Sequence, residues 1–199
     1  MNPGGDLRQN GISIRDQFLS SLQVQALRDC AKTRESRGEF VAARIGGPGA
    51  EQRRDGIRGD FTCWLREPLL APELELLEQF EALRLELNRE HYLGLFELEL
   101  HYARYPPGAA YARHVDQPRG SRQRIVSLAL YLNPQWQAAD GGKLRFHGVE
   151  RIVDVEPLGG RLVCFLTAGR EHEVLASQRE RLSISGWFRR REPAHSDRG

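Results

Sequence analysis

The stretch His101-Tyr-Ala-Arg-Tyr105-Pro-Pro-Gly-Ala-Ala-Tyr111-Ala-Arg-His114-Val-Asp116 decides how the rest of the chain is read. Alternate side chains of a strand share a face, so His114 and Asp116 can project the same way and grip one ion from a single short element. A third ligand is then needed, and His172 in Glu171-His172-Glu173-Val174 is the natural candidate. Two imidazoles and one carboxylate on one face of an octahedral metal, with the other positions open, form the facial triad of a non-haem iron(II) centre. Taken alone, His-x-Asp is a weak motif and a common hydrogen-bonded surface pair. The later His172 and Arg181, each in its own strand-like run, favour the ligand reading.

A chain of 199 residues suits one domain with a sizeable core. We expect that domain over residues 11–190, with a loose polar N-terminus over 1–10 and a flexible tail over 191–199. The net charge is +2, from 29 basic and 27 acidic residues spread along the length. That balance implies no nucleic-acid partner and no anionic membrane surface. Cys30, Cys63 and Cys164 are widely spaced without a Cys-x-x-Cys, so neither a disulfide framework nor a zinc ribbon is expected. No secretory signal and no apolar run of about 18 residues is present, and the expectation is a cytoplasmic, soluble monomer.

Ile12 to Leu19 reads as a strand, and Ser20 and Ser21 offer a cap for a helix carrying Val24, Leu27, Cys30 and Ala31. That helix ends near Gly38, and Phe40 to Ala43 resume an extended run. Arg44 to Asp60 is too long and polar for a routine connection, which marks a lid or a disordered loop. Phe61 to Leu65 is short and apolar, and Pro72 then opens a helix with Leu74, Leu77, Phe80, Leu83 and Leu87 on one face. From Leu95 the period changes. Strand-like runs follow at Leu95 to Tyr105, Arg124 to Leu132, Lys143 to Phe146, Arg161 to Thr167 and Arg181 to Phe188, separated by glycine-rich turns. Helices early and strands late predict an α+β chain, a sandwich or jelly roll with helices packed outside. Arg189 to Arg191 reads as a solvated helix or strand end in preference to an anchor for nucleic acid.

In β-period, Arg181, Ser183, Ser185 and Trp187 share one face, while Leu182, Ile184 and Phe188 share the other. If the second face meets the helices, the first looks into the roll and carries an arginine with it. A buried guanidinium needs an anionic partner, either a protein carboxylate or a bound acid. Tyr131 shares its face with the small Ser127 and Ala129, leaving room for a ligand. Arg181 and the Tyr131 hydroxyl could together hold the distal carboxylate of a dicarboxylic acid.

Tyr105-Pro-Pro-Gly, Tyr111-Ala-Arg-His114-Val-Asp116, Tyr131-Leu-Asn-Pro-Gln-Trp136, Gly141-Gly-Lys-Leu144, His172-Glu-Val and Arg181 through Trp187 together resemble the prolyl 4-hydroxylase branch of the 2-oxoglutarate and iron(II)-dependent oxygenases. More closely, the chain resembles the hypoxia-inducible-factor prolyl hydroxylases and their bacterial relatives that hydroxylate a proline in elongation factor Tu. The resemblance spans roughly residues 12–188, and Ile57-Arg58-Gly59-Asp60 followed by Trp64 matches the substrate-covering loop of that subgroup. It implies a double-stranded β-helix core, cupin-like, with supporting N-terminal helices. It implies iron(II) on His114, Asp116 and His172, and 2-oxoglutarate held by Arg181 and Tyr131, with Tyr105 near its other end and Leu144 lining the pocket. Arg58, Asp60, Tyr111, Arg124 and Trp187 would face the protein substrate.

The reaction so implied is C4 hydroxylation of a prolyl residue, with dioxygen as co-substrate, ascorbate as reductant, and release of succinate and carbon dioxide. An oxygen-sensing role belongs to the same resemblance. Elongation factor Tu is the first substrate to consider; a ribosomal protein, a small molecule, or a non-catalytic jelly-roll module that only holds a protein partner are the alternatives. Leu175-Ala176 departs from the usual polar-proline continuation after the distal histidine motif, which bears on the substrate rather than on the chemistry. His91, His101, His147 and His195 are read as non-ligands.

Overall fold

The computed structural model describes residues 7, 11–43, 57–117, 123–148 and 151–191. Most of the expected loose N-terminus, of the 44–60 loop and of the tail lies outside the described residues. In chain order the elements are β1 (Ile12–Arg15), α1 (Ser21–Ser36), β2 (Val41–Ala42), β3 (Phe61–Trp64), α2 (Ala71–His91), β4 (Glu97–Tyr105), β5 (Tyr111–His114), β6 (Arg124–Tyr131), β7 (Leu144–His147), β8 (Ile152–Val155), β9 (Leu162–Leu166), β10 (His172–Val174) and β11 (Arg181–Arg189). One short 3₁₀ turn, Ala138–Asp140, precedes β7.

The strands form two antiparallel sheets. The larger has the order β1-β9-β6-β11-β4-β3-β2, and the smaller β5-β10-β7-β8. Strand period sorts their side chains into two cores. On the larger sheet, Leu100, Tyr102, Val126, Leu128, Leu130, Leu162, Cys164, Leu182, Ile184 and Phe188 join the helices in one buried cluster. The residues between them in sequence, Ala103, Tyr105, Ala129, Tyr131, Val163 and Phe165, meet Leu144, Phe146, Val155 and Val174 of the smaller sheet in a second cluster. This is the jelly-roll arrangement expected, with both helices behind the larger sheet. Gly186 is required where β11 passes β4, because a Cβ there would collide with the Glu99 carbonyl oxygen.

Ser20 caps α1 as expected: its hydroxyl accepts from the Gln23 amide at 3.3 Å while the Gln23 side chain accepts from the Ser20 amide at 3.0 Å. The first strand is shorter than Ile12 to Leu19; it stops at Arg15, and Gln17 turns the chain with φ 55°. The buried face of α2 also differs from the expected one. Leu74 is 47% exposed, and the seam runs Glu73, Leu76, Phe80, Leu83, Leu87. Steps of three and four residues keep that set in line along a helix, whereas Leu74 lies to one side of it. Glu73 tolerates full burial because Arg34 donates to both its oxygens, at 2.7 and 2.6 Å, and Tyr102 donates a third bond at 3.0 Å. This ion pair fastens α1 to α2 behind the sheet.

Candidate active site

β5 and β10 are neighbours in the smaller sheet, with His172 directly opposite His114. Pairing of this kind brings together residues far apart in sequence. The single-strand argument for His114 and Asp116 needs correction, since β5 ends at His114 and Asp116 sits in the bend beyond it. The bend still returns the carboxylate to the site. Asp116 Oδ1 lies 3.4 Å from His114 Nε2 and 3.6 Å from His172 Nε2, and one ligand atom from each residue falls within 4.8 Å of the others. Bonds of about 2.1 Å to a first-row divalent ion set adjacent octahedral ligands about 3 Å apart, so the three fit one face with small adjustments.

The imidazole protons are placed by the backbone. His114 Nδ1 lies 2.7 Å from the Ala112 carbonyl oxygen, and His172 Nδ1 lies 3.0 Å from that of Arg170. A carbonyl only accepts, so each Nδ1 carries the hydrogen and each Nε2 lone pair is left for a metal. Burial depresses the His172 pKa, against a smaller upward pull from Asp116, and keeps the ring neutral. Burial would raise the Asp116 carboxyl, and only positive charge beside it, on the His114 and His172 rings or on an ion held between them, brings it below the ordinary carboxylate range. The set offered to a metal is one carboxylate and two imidazole Nε2 lone pairs, which suits iron(II).

A cavity open to solvent contains this triad. At its inner end Arg181 is 2% exposed; its Nε donates to the Gly142 carbonyl at 2.9 Å and its guanidinium carbon stands 5.1 and 5.0 Å from the Tyr105 and Tyr131 rings. Gly142 has φ +66°, and a Cβ there would press on Arg181 Cδ and Trp136. No carboxylate pairs with Arg181 among the described residues, and the buried Tyr131 hydroxyl has no hydrogen-bond partner among them either. An unpaired buried cation beside an orphaned hydroxyl calls for a bound carboxylate. Leu144 lines the same end. Burial pushes the Tyr105 and Tyr131 hydroxyls well above the usual tyrosine pKa, so both stay protonated and able to donate.

At the outer rim, Arg58 and Asp60 pair with each other at 2.6 Å, with Asp60 buried. The Arg58 guanidinium also lies 4.7 Å from the Tyr111 ring centroid, and that ring stacks on His114 at 3.6 Å. Arg124 lies over Trp187 at 3.4 Å, donates to the Asp116 carbonyl at 3.2 Å, and approaches Glu99 at 3.4 Å. Of the residues expected at the site, all but Asp60, Arg124 and Tyr131 line the cavity; Asp60 pairs with Arg58, Arg124 covers Trp187, and the Tyr131 ring adjoins Arg181. Sequence reasoning missed His101 and Phe165, which also line it. Phe165 packs edge-on against His172 at 4.8 Å, shielding a ligand from water. The signal for His101 was its place two and four residues before Ala103 and Tyr105 on one strand face.

Comparison with known proteins places similarity where the site is. The profile described as 2OG-Fe(II) oxygenase superfamily matches residues 100–189. Human Egl nine homolog 1 is 30% identical over 92% of the chain, and the chain spans 44% of that longer relative. A crystal structure of a Pseudomonas putida prolyl-4-hydroxylase shares 40% identity, with a TM-score of 0.86 over 95% of this chain and 97% of that one. A Trichoplax adhaerens prolyl hydroxylase, in complex with a hypoxia inducible factor oxygen degradation domain peptide fragment, shares 25% identity with a TM-score of 0.84 over 94% and 87% of the respective chains.

Proposed function

The chain belongs to the 2OG-Fe(II) oxygenase superfamily, and from that premise we propose that it hydroxylates C4 of a prolyl residue in a protein substrate. The observation that carries this reading is the joint presence, in one cavity, of three converging candidate metal ligands and a buried guanidinium that no carboxylate pairs with among the described residues. The Pseudomonas putida and Trichoplax relatives, a prolyl-4-hydroxylase and a peptide-bound prolyl hydroxylase, support proline in a polypeptide as the target.

His114, Asp116 and His172 would hold iron(II). Arg181 and the Tyr131 hydroxyl would grip the far carboxylate of 2-oxoglutarate, with Tyr105 toward its other end and Leu144 against its methylenes. Once bound, the metal and its 2-oxo acid supply the oxidising chemistry, in which dioxygen is divided between the proline and succinate and carbon dioxide is lost. The protein's share is positioning and exclusion of water. Phe146 and Phe165 shield His172, and the stacked Tyr111 covers His114. Arg58, Tyr111 and Trp187 would form the rim that a protein segment meets, with Asp60 holding Arg58 and Arg124 holding Trp187 in place.

Elongation factor Tu is the substrate we would try first, and a reducing cytoplasm suits the three cysteines, all free and buried. The test is to incubate the protein with a bacterial lysate, iron(II), 2-oxoglutarate and ascorbate, and to map every peptide whose proline gains an oxygen. Hydroxyproline in elongation factor Tu supports the full reading, and hydroxyproline elsewhere moves the substrate but keeps the reaction. Succinate formation without any modified proline rejects the prolyl assignment.

A further inference from the structure

Beside the triad, His101 and Trp187 line the cavity, and Trp64 packs against both of them. His101 lies 4.9 Å from Trp64 and 5.5 Å from Trp187, nearly parallel to the latter at 29°. Two polar atoms in the cluster, His101 Nδ1 and Trp187 Nε1, are sealed from solvent and have no hydrogen-bond partner among the described residues. Each such atom costs about 1–3 kcal/mol unless something satisfies it. Two side by side in the lining of a cavity are the mark of a site that a ligand completes.

The chemistry of the pair defines that ligand. An indole N–H only donates. His101, 3% exposed, has its pKa driven down by burial to about 4, so its ring is neutral and offers one N–H and one lone pair. A donor next to an acceptor complements a secondary amide, which has a carbonyl oxygen and an N–H to offer.

We propose that His101 and Trp187 read the peptide backbone of the substrate: the indole N–H donates to a substrate carbonyl, and His101 Nδ1, with the imidazole hydrogen on Nε2, accepts from a neighbouring amide N–H. This rests on the prolyl hydroxylase reading and sharpens it. The substrate is then a polypeptide segment whose neutral amides reach β4 and β11, whereas the charged carboxylate and ammonium of a free amino acid would carry a heavy desolvation penalty in this buried cluster. Both atoms are closed off in the ligand-free fold, so the peptide must displace a neighbouring ring, and Trp64, 37% exposed, is the outermost of the three.

His101→Phe keeps a ring in the cluster and removes the nitrogen, whereas His101→Asn returns a polar atom close to the Nδ1 position. The probes are synthetic peptides built around whichever prolines the wild-type protein oxidises in a lysate. The expected result is a KM for peptide raised roughly five- to tenfold in His101→Phe and largely restored in His101→Asn. Ligand-free His101→Phe should melt no lower than wild type, since an apolar ring replaces an unsatisfied one. A His101→Phe variant with the wild-type KM overturns the pair alone and leaves prolyl hydroxylation standing. Failure of the wild type to oxidise any proline, while it still converts 2-oxoglutarate to succinate, overturns the parent reading and this one with it.

Discussion

His172 faces His114 across the β10–β5 ladder, with ring centroids 4.2 Å apart and both Nδ1 atoms turned to backbone carbonyls two residues upstream. The two rings thus have the same tautomer for the same local reason. Their orientation is fixed by the main chain, so the ligand geometry exists before any metal arrives.

Replacing either Asp116 or His172 by Ala should therefore abolish metal binding as well as turnover. Metal analysis of the purified variants after equilibration with iron(II) under anaerobic conditions, read beside succinate formation, checks this. A variant that keeps one equivalent of iron and near wild-type turnover removes that residue from the ligand set.

Arg181→Ala should act chiefly on the 2-oxo acid. Charge-assisted bonds of the kind its guanidinium offers are worth about 1.5–3 kcal/mol, so the Kd for 2-oxoglutarate should rise by roughly ten- to a hundredfold. Titration calorimetry with a redox-inert divalent metal in place of iron reads the affinity without turnover. An unchanged Kd would show that the acid is anchored elsewhere.

Glu73→Ala leaves Arg34 buried without its bidentate partner and the Tyr102 hydroxyl without an acceptor. The loss should be about 3–5 kcal/mol of folding stability, visible as a lower urea midpoint. The retained Arg34–Glu39 contact at 2.7 Å can offset part of it. A change below about 1 kcal/mol would mean that the pair does not clamp the helices.

Acid should weaken the fold through His101, whose pKa falls from 6.5 to about 4 on burial. A depressed pKa means that the unfolded chain binds the proton more readily than the folded one. The stability from keeping this ring neutral is therefore complete above about pH 6.5 and is lost as pH falls toward 4, amounting to about 3 kcal/mol. Urea titrations of wild type and His101→Phe at neutral and at mildly acidic pH isolate it, because other groups titrate equally in both. Parallel losses in the two proteins would show that His101 is not the group responsible.

Much of this was legible in the sequence because strand alternation is strict. Arg181, Ser183 and Ser185 could be assigned to the interior, and Leu182, Ile184 and Phe188 to the helices, from parity alone. The residue types of the triad and the later arginine likewise named a chemistry before any geometry was known. Helix α2 was less readable, since an acidic residue in a helix reads as solvated until its partner is seen, and the Arg34 that buries Glu73 lies on another helix. The Asp116 carboxylate reaches the two histidines from a bend and not from the strand, and sequence alone does not tell these two deliveries apart. His101 was passed over because nothing in a sequence marks a nitrogen as unsatisfied; that property exists only once the surrounding packing is fixed.

The alternation in β11 also sets limits on how the gene can drift. Substitutions along the strand are negotiable one at a time, but inserting or deleting a single codon between Arg181 and Trp187 would exchange inner and outer faces for every position beyond it. Hydroxyls would be driven into the oily layer beneath the helices while isoleucine and leucine entered the reaction chamber. Divergent descendants of this protein should therefore vary freely in the lengths of their connections and hold the length of this strand constant.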